Sequence, residues 1–341
     1  MVYLKKGDNN MTKTDEVAYI FKLMNKLREL PRKGWHDKGI VRNRVESVAD
    51  HIFGCQMLAY AMHSEFAYDV DINKTILLLV VHELGEIIMG DYTPEDMPRE
   101  EKLNLEKESA NEVLESIPNN SLFKELYEEY EKQETKEAIF AYQVDHAECD
   151  LQARLYEQDG SYAKKYNKYE FTKSWVSYDL NRSLKWDSNF IELLKYIINN
   201  QMEVKEHSNN KIQNVISFYT ATNSLKDIPT NISLKDGHYE SAAENIYSTQ
   251  MLALAMYVVF GKDVDITKVI NLISVYRLKE ANVVTNNESD TATAVAKLLS
   301  NHQDILNLLS EYNTSKTKES QYAKNLVIAT PNYIKNMQNA S

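Results

Sequence analysis

This 341-residue chain says one thing twice. Glu46-Ser47-Val48-Ala49-Asp50-His51-Ile52-Phe53 returns as Glu240-Ser241-Ala242-Ala243-Glu244-Asn245-Ile246-Tyr247. At the same offset, without a gap, Asp69-Val70-Asp71-Ile72 returns as Asp263-Val264-Asp265-Ile266. The stretch Leu27-Arg28-Glu29-Leu30-Pro31 has its own echo in Leu225-Lys226-Asp227-Ile228-Pro229. Self-similarity of this kind predicts a tandem duplication of one structural unit. Gly and Pro number only 9 and 6, and apolar residues recur at every third and fourth position. The unit is therefore expected to be helical. The fold class that follows is all-α, a helical bundle duplicated in tandem: residues 1–200, a polar linker over 201–211, and a second copy over 212–341.

Within the first copy, Thr14-Asp15 is placed to cap a helix with the stripe Val17, Ile20, Phe21, Met24 and Leu27, stopped by Pro31. Ser47 is placed to cap the helix that carries His51. The run from Ile76 to Val81 is too apolar to be anything but buried, and it leads into His82-Glu83-Leu84-Gly85-Glu86. Read as one helix, it brings His82, Glu83 and Glu86 onto one face. Gly85 there costs about 1 kcal/mol relative to Ala, which predicts close approach of another backbone, such as the helix carrying His51. Arg99 to Ile117 and Glu125 to Lys136 read as solvated charged faces. Thr135 to Glu157 reads as a helix that buries Asp145 among Ile139, Phe140, Ala141 and Val144, where a carboxylate needs a partner. Ser161 to Asn200 reads as further helix, with Trp175 and Trp186 packed.

The second copy serves as a control on the first. His51 becomes Asn245, His82 becomes Tyr276, Glu83 becomes Arg277, and at a second, shorter offset Asp145 becomes Val327. The apolar frame stays and these four go together, as expected of residues that serve one removable thing. A bound divalent ion is the simplest such thing, with His51, His82, Glu83 and Asp145 as ligands. Imidazole suits Zn, Fe, Co and Ni, and carboxylate also suits Mn and Mg, so the ion's identity stays open. Such a site leaves positions for water and a phosphate oxygen, and Glu86 stands where it can orient or deprotonate that water. A zincin helix is the rival metal reading, but the second histidine it requires is Glu86 here.

The formal charge of −11 disfavours a nucleic-acid polymer as partner, since binders of many phosphates carry a basic stripe. A small anionic substrate needs only a local basic pocket. Cys55 and Cys149 are expected to be thiols in a reducing compartment rather than a disulfide. With no apolar run near the ~20 residues that span a bilayer and no signal peptide visible, a cytoplasmic protein without a membrane partner is expected.

Several motifs together resemble the HD-domain phosphohydrolases, and most closely the branch of bacterial 5′-deoxynucleotidases and their eukaryotic relatives. They are Arg32-x-x-Trp35, Val45-Glu46-Ser47-Val48-Ala49-Asp50-His51, Val81-His82-Glu83-x-x-Glu86-x-x-x-Gly90-Asp91, Pro98-Arg99-Glu100-Glu101-Lys102 and Gln143-Val144-Asp145. The resemblance implies an HD-domain bundle, one divalent metal on His51, His82, Glu83 and Asp145, and Glu86 and Asp91 as catalytic carboxylates. It implies substrate contacts from Arg32, Trp35 and Asp91, although the bland reading of Arg32-Lys33-Gly34-Trp35 is a solvated helix exit with Trp35 pinned to the core. The implied reaction releases phosphate from a deoxynucleoside monophosphate. The family's defining aspartate is Glu83 here, one methylene longer. Two other readings stay open: a nucleotide-binding regulatory protein with little or no turnover, and a pyrophosphohydrolase or phosphatase for another small phosphate ester. The second copy is expected to lack chemistry and to pack on the first as one subunit of a homodimeric relative packs on the other.

Overall fold

The computed structural model describes residues 11–92, 96–161, 171–181, 186–234, 237–283 and 290–339. The first helix, α1 (Lys13–Met24), is capped by Thr12, with Asp15 closing the capping box, so it starts slightly earlier than Thr14-Asp15 suggested. A short α2 (Lys33–Asp37) follows. Pro31 forms an antiparallel bridge to Ser47, and the Arg32 amide donates to Glu46 O at 3.0 Å. This pairing lays Arg32 beside the start of α3 (Val48–Phe66), where Ser47 and Asp50 make the expected cap. Nearly every residue of α3 is buried.

Next comes α4 (Ile72–Val81), all apolar after its first turn. The single helix expected through Glu86 is not formed. α4 ends at Val81, residues 82–85 form turns, and α5 (Glu86–Met89) begins afresh. Glu86 N donates to Glu83 O and Ile87 N to Leu84 O, three residues back rather than four, which tightens the chain and turns His82 and Glu83 inward. Gly85 permits this through an approach different from the one expected. A Cβ there would lie 2.8 Å from the backbone oxygen of Glu106 on α6 (Arg99–Ser116), not against the His51 helix.

The helix α7 (Ser121–Lys132) is not merely a solvated face, since Phe123, Leu126, Tyr127 and Tyr130 are buried. The long α8 (Lys136–Gln158) matches expectation. The stretch expected to continue as helix appears as α9 (Phe171–Leu180) and α10 (Ser188–Asn199), and residues 162–170 and 182–185 lie outside the described ones. Trp175 packs on Trp35 and Trp186 on Phe190, as expected.

The rest of the chain runs through α11 (Lys211–Asn223), β1 (Pro229–Ser233) paired antiparallel with β2 (Tyr239–Ser241), α12 (Ala242–Phe260), α13 (Ile266–Val275), α14 (Thr291–Ala296), α15 (Gln303–Thr314) and α16 (Lys318–Asn339). Like α3, α12 is capped by a serine with an acidic capping-box partner, Ser241 and Glu244.

The two halves interlock. α1 packs on α12, and α11 packs on α3. Tyr247 donates to Met24 O at 3.1 Å, and Ser248 to Asn25 Oδ1 at 2.6 Å. Where α3 meets α12, Gln56 and Gln250 exchange amide hydrogen bonds of 3.1 and 2.8 Å. The polar stretch before α11 is fastened at two points: Met202 N donates to Gln158 Oε1 at 2.7 Å and Lys205 N to Ser217 Oγ at 3.0 Å.

Polar groups are buried in this seam, which has a consequence for pH. Burial, and then the neighbouring Asp50 carboxylate, push the Glu244 carboxyl up to about 7. Arg44 reaches both carboxylates, bonding Glu244 Oε1 at 2.7 Å. A carboxyl whose folded pKa lies above its unfolded one favours the fold when protonated. Its contribution is whole below about pH 4.5 and is lost as pH rises through 7. Glu244→Gln should therefore gain on the wild type as pH goes from 5 to 8, by up to ~3 kcal/mol. Urea unfolding of both proteins at each pH checks this, and a constant difference would contradict it.

Candidate metal centre

Two helices and one turn converge on a single point. α3 supplies His51, the turn after α4 supplies His82 and Glu83, and α8 supplies Asp145. Asp145 Oδ1 lies 3.0 Å from His51 Nε2 and 3.6 Å from His82 Nε2. Glu83 Oε1 lies 3.7 Å from both imidazole nitrogens. The four residues read as ligands from the sequence are thus brought together.

The donor set fits a divalent cation. The Nδ1 of His82 faces Leu79 O at 2.7 Å, so Nδ1 carries the proton and the Nε2 lone pair points into the cluster. That Nε2 is buried and has no hydrogen-bond partner among the described residues. His51 Nδ1 is bound to Glu148 Oε2 at 2.6 Å, which likewise turns Nε2 toward Asp145 and Glu83. The surroundings hold more carboxyl than cation. Burial, then Glu83 and Asp91, raise Glu86 well above the carboxylate range. Burial and Glu83 push Glu106 up to about 7. A bound divalent ion relieves this crowding. His51, His82 and Asp145 share one close-set group of donors with a residue the sequence reading passed over, Cys55, whose buried Sγ is 3.5 Å from His51 Nε2.

Around this centre stand the other sequence-predicted residues. Arg32 Nη1 meets Glu83 Oε1 at 3.3 Å, and its Nη2 meets Cys149 Sγ at 3.1 Å. Asp91 Oδ2 accepts from Lys33 N at 2.6 Å. Against the burial that pushes it up, Arg32 and Lys102 hold the Asp91 carboxyl below its usual range. Glu86 also hydrogen-bonds to Asp91. Trp35 sits apart from the ligands at 2% exposure, in a small cluster with Tyr156 and Trp175, and gives its indole N–H to Glu46 Oε1 at 2.8 Å. The side chain of Arg99 lies outside the described residues.

Sequence reasoning also missed the partners that hold these ligands. Tyr130 donates to Asp145 Oδ2 at 2.8 Å and fixes that carboxylate. Its signal was the apolar spacing of Phe123, Leu126, Tyr127 and Tyr130 beneath the charges. Glu148, one turn along α8 from Asp145, is the orienting partner of His51. Cys55 and Cys149 are both free thiols, the first buried and the second half-buried under Arg32.

The matching place in the second half is filled differently. Asn245 Oδ1 accepts from Tyr276 Oη at 2.6 Å and from Arg277 Nη2 at 3.0 Å, while Arg277 Nη1 pairs with Glu280 at 2.6 Å. A guanidinium thus supplies positive charge of its own there.

Comparison with known proteins bears on this geometry. The HD domain family matches residues 24–182. The 5′-deoxynucleotidase HDDC2 of Homo sapiens is 36% identical over 140 residues, 40% of this chain and 66% of that relative. Its namesake in Dictyostelium discoideum is 35% identical over 147 residues, 40% of this chain and 76% of the relative. The 5′-deoxynucleotidase hdd1 of Schizosaccharomyces pombe is 31% identical over 180 residues, 50% of this chain and 87% of the relative. The chain thus spans about two thirds of the mammalian relatives it matches. His51, His82, Glu83 and Asp145 all fall inside the matched segment, and this chain belongs to the HD-domain family.

Proposed function

We propose that the chain is a metal-dependent phosphomonoester hydrolase that releases phosphate from deoxynucleoside 5′-monophosphates. The observation that carries this is the convergence of His51, His82, Glu83 and Asp145 beside a cation, Arg32, and a second carboxylate pair, Glu86 and Asp91. The names of the relatives support the substrate class. His51, His82, Glu83 and Asp145 would hold a divalent ion, which would acidify a water and neutralise phosphate charge. Glu86, held above the carboxylate range by burial and by Glu83 and Asp91, would be ionised once a divalent ion neutralises its neighbours, and would then accept the proton of the attacking water. Asp91, kept charged by Arg32 and Lys102, holds Glu86 in place. Arg32 pairs with the phosphate. Trp35, buried with its indole N–H on Glu46, supports the sugar site from behind.

The second half is a degenerate copy that takes the place of a partner subunit. The exchanged amides of Gln56 and Gln250 and the reciprocal packing of α1 and α11 support this. Among the described residues, no helix is long and apolar enough to cross a membrane. The free thiols fit a cytoplasmic setting.

Phosphate release from a panel of deoxy- and ribonucleoside monophosphates tests the reading, with Mn, Co, Mg or Zn added to metal-stripped protein. Metal-dependent release with a deoxyribose preference is expected. The Arg32–Glu83 ion pair favours one rival, a regulatory protein whose substrate arginine is engaged by the longer ligand. A displacement near 1 Å at a reacting centre changes rate on the order of a hundredfold. Silence in the wild type with turnover in Glu83→Asp would therefore identify a scaffold switched off at that residue. Silence in both, with nucleotide still bound, would establish the regulatory reading.

A further inference from the structure

We propose that Lys226, carried by the second half, is a positioning residue for the metal centre of the first. It holds Glu148 against His51 and Glu46 against Trp35. The inference rests on the metal reading above and assigns a role to a residue that lies outside the HD-family segment.

The geometry is a closed chain. Lys226 Nζ donates to Glu148 Oε1 at 2.7 Å, to Glu46 Oε2 at 2.6 Å and to Gln152 Oε1 at 3.0 Å, which uses all three of its protons. Glu148 passes its other oxygen to His51 Nδ1, and Glu46 passes its other oxygen to the Trp35 indole. Tyr219, also from the second half, donates to Glu148 Oε1 at 2.7 Å. Lys226 is 3% exposed and Glu148 fully buried. A carboxylate so placed fixes the tautomer and ring plane of a ligand histidine and raises its basicity. In the same way, an ammonium buried behind the carboxylate fixes where it sits. One lysine therefore sets both the metal side and the tryptophan side of the site.

A second, independent observation is room made for this contact. A Cβ on Gly54, in the middle of α3, would fall 2.0 Å from Glu148 Oε1 and 2.9 Å from Lys226 Nζ. Glycine inside a helix is unfavourable by about 1 kcal/mol relative to Ala, so its presence there answers to the carboxylate it admits. In the other half this position is Ser248, and the residue matching Lys226 is Arg28.

The competing account is a clamp that only joins the halves. Arg28 resembles such a clamp: it bonds Glu240 at 3.0 Å, and its Nε and Nη2 have no hydrogen-bond partner among the described residues. Lys226 differs, since two of its three protons go to carboxylates whose other oxygens reach His51 and Trp35.

The test titrates Co(II) into metal-stripped, full-length protein, followed by visible absorption, for wild type, Lys226→Met, Lys226→Arg and Gly54→Ala. Lys226→Met and Gly54→Ala should each weaken Co(II) binding ~10- to 100-fold. Each should also shift the absorption bands as His51 loses its orientation, and Lys226→Arg should recover part of the affinity. A clamp would lower the urea midpoint and leave affinity and spectrum alone. Gly54→Ala changes no charge and decides the matter should Lys226→Met fail to fold. A folded variant that binds Co(II) like the wild type overturns the proposal. Wild type that takes up no Co(II) overturns the metal reading and this inference with it, whereas Co(II) uptake indifferent to Lys226 and Gly54 overturns the inference alone.

Discussion

His82→Ala should remove metal-dependent phosphate release, lowering its rate by ~10³-fold or more, because a metal supplies several kcal/mol of transition-state charge stabilisation. The imidazole is fixed at Nδ1 by Leu79 O, which leaves Nε2 facing Asp145 and Glu83. The loss should also be visible without turnover. Metal in hundredfold excess over its dissociation constant stabilises a folded protein by about 2.7 kcal/mol. The wild type's unfolding midpoint should accordingly rise when Mn or Co is added, and that of His82→Ala should not move. A metal-dependent rise in the variant would place the ion elsewhere. Because Arg277 already supplies a cation in the second half, metal analysis should give one bound ion per chain.

Glu240→Ala should destabilise the whole chain by about 3–5 kcal/mol, the range expected when one partner of a buried ion pair is removed. Arg28 and Glu240 are both fully buried, 3.0 Å apart, and come from opposite halves. Without Glu240, the guanidinium keeps only a 3.6 Å approach to the half-exposed Glu29. The double change Arg28→Met with Glu240→Leu removes both charges and should recover most of the loss. Urea unfolding curves of the three variants decide this. A small effect in the single variant would mean that water reaches Arg28 and the seam is looser than it looks.

What was legible in the sequence was local or periodic. Ser47 and Asp50 announce the start of α3, the Ile76–Val81 run announces α4, and the lone Asp145 in apolar surroundings announces a buried charge with partners. The change of His51, His82, Glu83 and Asp145 to Asn245, Tyr276, Arg277 and Val327 where the sequence pattern repeats points to one shared site. What was not legible depends on contacts distant in the chain. The break between Val81 and Glu86 follows from how closely Gly85 meets the backbone of α6, and helical spacing alone gives no sign of it. Tyr130 was hidden because the charges around it outnumber the apolar residues of its own stripe. Lys226 sat in an echo of Arg28 and looked like scaffold. The exchange of α1 and α11 is the deepest case. α3 and α12 are near-copies, so either first helix has a suitable groove on both, and the sequence holds no preference that inspection can read.

That exchange also sets a timetable. α11 covers α3, yet it is encoded long after it. At ~5–20 residues per second of synthesis, α3 waits on the order of ten to thirty seconds for its cover, and Lys226 arrives just behind. The half that holds the ligands therefore emerges from the ribosome unfinished, with an apolar helix face open to chaperones. It closes only once translation has carried the second half far enough to reach back.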